Sequence, residues 1–306
     1  MLSAPSLERF YIDLQQTQLQ GDPSQFKVNW ANLTHLGFGD SVWAFSAHPF
    51  ELDIVPILLQ TTLLVKLKIV AFAVGSIVSP LTDIHLPLLQ VLEMEERRYF
   101  ASSQGLGILQ LIKAPKLRTL VYSSIGSPCA ITFPPPSLVS LLEKTQDMKE
   151  LSVSFSGNHP SREAYRAVLG LCPHLTTLHI QHSDYIDGNI LLRELVLNDS
   201  KQCLCPALEA FRCSSALFVT PEILSDFVSR KRGTVSHLKC WKALAISEIK
   251  FDLPNAAYDL AMIAELSTQL NDMLSATDLY HVIRTKRCPT LHVGIYVNTE
   301  ISWCAS

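Results

Sequence analysis

Hydrophobic positions recur along the chain in one short phrase. It runs apolar, two variable residues, apolar, one variable residue, apolar. It reads Leu33-x-x-Leu36-x-Phe38, Leu64-x-x-Leu67-x-Ile69 and Leu89-x-x-Leu92-x-Met94. It continues as Leu117-x-x-Leu120-x-Tyr122, Met148-x-x-Leu151-x-Val153 and Leu175-x-x-Leu178-x-Ile180. Leu208-x-x-Phe211-x-Cys213 and Val235-x-x-Leu238-x-Cys240 close the series. The first positions lie 25 to 33 residues apart, about 29 on average. The end of each phrase alternates apolar and variable, the period of a half-buried strand. Proline sits two residues before the first position at Pro87, Pro115, Pro173 and Pro206, which predicts an extended entry to each strand.

Between phrases the period becomes helical. Residues 137–144 predict one helix with Ser137 as N-cap, and residues 161–171 a second with Ser161 as cap and Tyr165, Val168 and Leu169 inward. Residues 220–228 predict a third, with Thr220 as cap and Pro221 at the first helical position. Residues 51–60 and 105–113 fit less cleanly, and Pro56 interrupts the former.

One strand plus one helix, repeated, must lay its strands parallel, and only stacked neighbours bury the helix faces. The expected fold is α/β: a leucine-rich-repeat-like solenoid, or horseshoe, with parallel strands on the concave face and helices on the convex face. Residues 1–25 are expected to form an N-terminal helical cap, with a helix over Leu2–Gln20 ended by Gly21-Asp22-Pro23-Ser24. Residues 26–250 hold about eight degenerate repeats. Residues 251–306 form a C-terminal cap or irregular last repeat, with a helix over 255–276 and a strand over 290–297.

Composition supports architecture more than chemistry. Leucine accounts for 47 of 306 residues and glycine for only 12, which suits stacked repeats and disfavours phosphate-cradling glycine loops. The net charge of −3 predicts neither nucleic-acid nor anionic-membrane binding. The longest uncharged apolar stretch, Ile69–Val78, is half the roughly 20 residues a spanning helix needs. The N-terminus has no basic start or continuous apolar run, so no secretory signal is read there. The eight cysteines are therefore expected to be reduced, in a cytoplasmic or nuclear setting.

Four segments carry a family resemblance: Ala114–Tyr122, Leu141–Leu151, Leu171–Ile180 and Leu204–Phe211. They resemble the degenerate leucine-rich-repeat region of fungal F-box proteins, over roughly residues 28–240. Two departures accompany it. Family repeats place asparagine or cysteine three residues past the last strand position, where this chain has Arg97 and Ile125. The Leu-Pro-x-Glu-like start of the F-box module has no match between Met1 and Phe26. The resemblance implies the substrate-recognition region of an SCF-type ubiquitin-ligase subunit. A Skp-type adaptor and a cullin would be partners where an F-box is present in the full product.

Candidate chemistry is sparse. Cys203, Cys205 and Cys213 with His174 or His182 lack zinc-ligand spacing, and packing as small hydrophobes is the better reading. No nucleophile elbow, P-loop, dinucleotide fingerprint or His-Glu-x-x-His occurs. Neither catalytic residues nor cofactor is expected. Arg230-Lys231-Arg232 and Arg284-Thr-Lys286-Arg287 read as solvated basic ends rather than as nucleic-acid contacts.

The variable strand positions are the usable surface. They predict a partner-binding stripe of Lys66, Lys68, Glu93, Glu95, Glu150, His179, Arg212, His237, Lys239 and Trp241. Arginine and tryptophan are the side chains that most often dominate interfaces. The expected function is a monomeric, non-catalytic scaffold for a protein target, without nucleic acid or membrane. The alternatives are a stand-alone repeat scaffold with no ubiquitin role and an enzyme with an unrecognised site.

Overall fold

The computed structural model describes residues 7–13, 28–39, 54–72, 82–98, 108–126, 133–145, 147–196, 204–229, 243–251, 268, 282–287 and 293–298. The chain divides into two units, Met1–Asn158 and His159–Ser306. Both are α/β with mostly parallel strands and few helices.

In the first unit, strands β1 (Arg9–Asp13), β2 (His35–Gly39), β3 (Lys66–Phe72), β5 (Val91–Arg98), β7 (Thr119–Gly126) and β8 (Glu150–Phe155) pair in that order. Every pairing is parallel, and equivalent phrase positions face each other: Leu36↔Leu67, Leu67↔Leu92, Leu92↔Leu120, Leu120↔Leu151. The first, fourth and sixth phrase positions from Leu33 to Cys213 are all at most 3% exposed. A one-residue slip would turn these side chains into water, so the apolar pattern itself holds the register.

A backbone device repeats at each strand entry. Two consecutive amides donate to one carbonyl, that of the residue just before the preceding strand. Thr34 and His35 donate to Glu8, Val65 and Lys66 to Thr34, and Gln90 and Val91 to Val65. Arg118 and Thr119 donate to Gln90, and Lys149 and Glu150 to Arg118. In the second unit Glu209 and Ala210 donate to Thr176. These bonds satisfy backbone groups just before the ladder begins.

The prolines act one step earlier than expected. Leu89, Leu117, Leu175 and Leu208 donate their amides to the residues three before them, Leu86, Ala114, Cys172 and Cys205. Each proline is therefore the second residue of a turn, where its fixed φ is already correct and its missing N–H costs nothing. Proline pre-sets a turn here, not an extended strand entry.

The N-terminal helix is corrected. Within the stretch Leu2–Gln20, residues 9–13 form β1, parallel to β2. Phe10 meets Trp30 edge to face, with centroids 5.5 Å apart. Glu8 enters the strand-entry device as the donors' first acceptor, so Leu7-x-x-Phe10-x-Ile12 is a further phrase.

Among the described residues between the strands of this unit, helix is short. α1 is a single turn, Val55–Leu58, started by Pro56 and burying Val55, Ile57 and Leu58. Residues 105–113 carry a short 3-10 turn, Ile108–Gln110, and then β6 (Ile112–Lys113). β6 pairs in parallel with β4 (Ile84–His85). Alternating burial of Ile84, Leu86, Ile112 and Ala114 explains why strands form there. α2 spans Pro136–Glu143 and buries Leu138, Leu141 and Leu142. Its N-cap is Pro135, not Ser137, because Pro136 already occupies the first helical position and needs no N–H partner. Ser137 is buried in the first turn.

In the second unit, β9 (Thr177–His182), β11 (Ala210–Val219) and β12 (Ala243–Phe251) are parallel neighbours, and β10 (Tyr185–Asp187) also pairs with β11. α3 (Arg162–Leu169) begins as expected, with the Ser161 hydroxyl accepting the Ala164 amide at 3.2 Å. α4 (Gly188–Val196) follows, and α5 starts at Pro221 and ends at Ser229, directly after Thr220. The expected C-terminal strand is present as β14 (Val293–Asn298). It is antiparallel to both β12 and β13 (Val282–Arg287), so parallel pairing ends at β12. The helix expected over 255–276 lies outside the described residues except Thr268.

β12 sets Leu244 opposite Phe211 and Ile246 opposite Cys213. The strand residues that continue the pattern therefore lie six positions after Leu238 and Cys240. Val235–Cys240 lies outside the described residues.

Candidate interaction surface

Strand alternation puts the third, fifth and seventh phrase positions of the first unit on one face. The rows run His35, Lys66, Val91, Thr119, Glu150, then Gly37, Lys68, Glu93, Val121, Ser152, then Val70, Glu95, Ser123, Ser154. Lys66, Lys68, Glu93, Glu95 and Glu150 thus share one face, as the pattern predicted. The Glu93 carboxylate meets Lys66 at 2.6 Å and Lys68 at 3.8 Å. Glu150 accepts a hydrogen bond from the Thr119 hydroxyl at 3.3 Å. Lys66, Lys68 and Glu93 all keep substantial exposure, so each ion pair contributes little to stability, at most about 1 kcal/mol. Val121 and Ile125, 37% and 42% exposed, add apolar area on β7.

The face ends at β1, where the Tyr11 ring covers Gly37. A Cβ on Gly37 would sit 2.3 Å from Tyr11 Cδ2, so the ring's position depends on glycine's missing side chain. Nearby His35 has its pKa lowered, first by burial and then by the charges of Arg9 and Lys66.

His179 and Arg212 lie in the second unit as cross-strand neighbours. The His179 ring and the Ser214 hydroxyl share a hydrogen bond at 2.8 Å, and Arg212 is exposed. Burial first, and then the Arg212 charge, lowers the His179 pKa from 6.5. Between the depressed folded value and the ordinary unfolded one, the unfolded chain binds more protons, so stability rises with pH across that window. It is complete above about pH 6.5 and is lost as the pH falls through the folded value. We expect His179→Gln to flatten this fall. Urea titrations at intervals between about pH 5 and 7.5 measure it, and an unchanged slope rejects the assignment. His237, Lys239 and Trp241 lie outside the described residues.

One cluster carries no periodic signal. His159 packs against His182 at 4.8 Å and Tyr185 at 4.0 Å, and Tyr185 against Phe218 at 4.5 Å between centroids. His182 Nδ1 accepts the Asp184 amide at 3.1 Å, and the Ser215 hydroxyl donates to the His182 carbonyl at 2.7 Å. These rings come from a loop and three different strands, so no spacing in the sequence announces them.

The described cysteines behave as packing groups. Cys172, Cys205 and Cys213 form no disulfide and are buried. Burial pushes the Cys172 thiol up to about 12 and the Cys213 thiol to about 11, the direction expected of thiols packed among apolar groups. The Cys205 thiol lies 3.6 Å from the Leu169 and Cys172 carbonyls, tying its turn to the end of α3 and the turn after it. Among the described residues no group of three or more His, Cys, Asp and Glu side chains is placed to hold a metal. Among them no helix is long and apolar enough to cross a membrane. No protein-family model matches the sequence, and no curated protein matches it significantly.

Proposed function

We propose that this chain is a non-catalytic protein-interaction scaffold, a leucine-rich-repeat-like solenoid whose exposed strand face receives a protein target. One observation carries the reading. Strand after strand, the same phrase positions pair in register, and the intervening positions build continuous rows of mixed-charge side chains on the other face. Such rows offer an extended surface with closely spaced polar and charged groups, as repeat proteins use for recognition. The recurring strand-entry device supports the solenoid form, because it makes each repeat depend on its predecessor in the same way.

The resemblance of the four segments named above extends the reading to the substrate-recognition region of an F-box ubiquitin-ligase subunit. The ubiquitin chemistry would then reside in partner proteins. A stand-alone scaffold remains the competing reading.

Photo-crosslinking separates these outcomes. A photoreactive residue at Ser152, on the exposed face, is expected to capture a defined target in cells, whereas one at Glu143 on α2 is not. Capture from both positions, or from neither, rejects the scaffold reading. If the captured target accumulates and loses ubiquitin when the chain is depleted, the ligase affiliation stands. If its level and ubiquitination do not change, the stand-alone scaffold replaces it.

A further inference from the structure

β1 (Arg9–Asp13) lies at one end of the strand order, and among the described residues no strand pairs with its outer edge. The Glu8 carbonyl is given to β2. Peptide groups along a strand point alternately to its two sides, so those of Arg9, Tyr11 and Asp13 face the outer edge. Two further observations single this edge out. Leu7 and Phe10 hold the first and fourth phrase positions but are only half-buried, whereas the equivalent residues from Leu33 to Cys213 are at most 3% exposed. Tyr11 is 58% exposed, more than any other large hydrophobic side chain among the described residues. An open edge beside half-covered core residues is a template for a further strand.

The residues of β1 select the occupant. Arg9-Phe10-Tyr11-Ile12-Asp13 is self-complementary when paired antiparallel about Tyr11. Arg9 then stands opposite Asp13 of the second strand, Phe10 opposite Ile12, and Tyr11 opposite Tyr11. Opposite charges meet twice, and apolar residues meet apolar ones. The three outward-facing residues become the hydrogen-bonded pairs of an antiparallel ladder. Moving the centre to Phe10 or Ile12 separates Arg9 from Asp13. A twofold interface requires this kind of self-match, because the same patch meets itself. We infer that the chain forms a dimer in which β1 pairs antiparallel with β1 of a second copy, across a twofold axis at Tyr11. The dimer replaces the monomer expected from the sequence. It does not depend on what the exposed face binds, and it joins the exposed faces of the two copies on one side of the extended sheet.

Sedimentation velocity of the full chain over a range of concentrations tests this. A reversible dimer with a micromolar dissociation constant is expected, as suits a short paired edge. Arg9→Glu and Asp13→Arg each set like charges opposite one another and are expected to weaken the dimer at least about tenfold. The double variant restores opposite charges and is expected to dimerise as the unsubstituted chain does. Mixing the two single variants is expected to give a heterodimer, in which every charged pair is again of opposite sign. Circular dichroism and thermal melts confirm that the variants are folded. Amide hydrogen exchange over residues 9–13 of the unsubstituted chain needs no variant, and it is expected to slow as the concentration rises. A chain that stays monomeric, exchange independent of concentration, a dimer indifferent to both single substitutions, or a double variant as weak as the single ones overturns the inference.

Discussion

Replacing both Arg162 and Arg166 with alanine is expected to destabilise the second unit far more than replacing the one carboxylate they share. The Glu194 side chain is only 2% exposed, whereas the arginines are 55% and 45% exposed. One carboxylate oxygen accepts from the Arg162 guanidinium, and the other from Arg166 Nε at 2.7 Å. The two arginines are four residues apart on α3, so both reach the same point on α4. Removing both strands a buried carboxylate without a cation, which costs about 3–5 kcal/mol. Removing the carboxylate instead releases two cations already largely in water, and Glu194→Gln keeps the shape, so about 1 kcal/mol is expected. The decisive comparison is Glu194→Gln in the doubly substituted background. It should recover part of the lost stability, because it removes the uncompensated charge. Urea denaturation measures all four chains. If Glu194→Gln costs as much as the double arginine replacement, or gives no recovery, the contact is an ordinary surface pair.

That ion pair was not legible in the sequence, and the reason is physical. Arg162 and Arg166 have the helical spacing of many solvated faces, and Glu194 lies 28 residues further on, with nothing local to mark it as buried. The strand ladder was legible because burial on one face imposes a period of two, and parallel stacking repeats it. Where the same residues satisfy two periods, the reading failed. Leu7, Phe10, Tyr11 and Leu14 are spaced as a helical face, yet Leu7, Phe10 and Ile12 are also a strand phrase, and pairing with β2 decides for the strand. The eighth repeat is ambiguous in the same way. Val235, Leu238 and Cys240 fit the phrase as well as Trp241, Leu244 and Ile246 do, and only the register with β11 separates them. The charged stripe followed directly from alternation in the first unit. How its charges pair did not, since nothing in the spacing places Glu93 between two lysines.

The same alternation yields the sharpest contrast between adjacent residues. Phe211 and Arg212 are neighbours in β11, and each pairs in register with the equivalent position of β9, Leu178 and His179. Phe211 is 1% exposed and meets Phe227 of α5 edge to face at 6.0 Å, whereas Arg212 is exposed. Phe211→Ala is expected to cost about 3–5 kcal/mol, from lost apolar burial plus the cavity left beneath α5. Arg212→Ala is expected to change stability by no more than about 0.5 kcal/mol. It also removes a charge that lowers the His179 pKa, so it should reduce the acid-side fall assigned to that residue. Part of the Phe211 effect belongs to the ring pair. In a double-mutant cycle with Phe227→Ala, about 0.5–1.5 kcal/mol should appear as coupling. Chemical denaturation of the four variants, Phe211→Ala, Arg212→Ala, Phe227→Ala and the Phe211/Phe227 double, reads these values directly. Comparable losses at Phe211 and Arg212 would mean that β11 does not bury alternate residues. The strand phrase, and the exposed face derived from it, would then have no footing in the second unit.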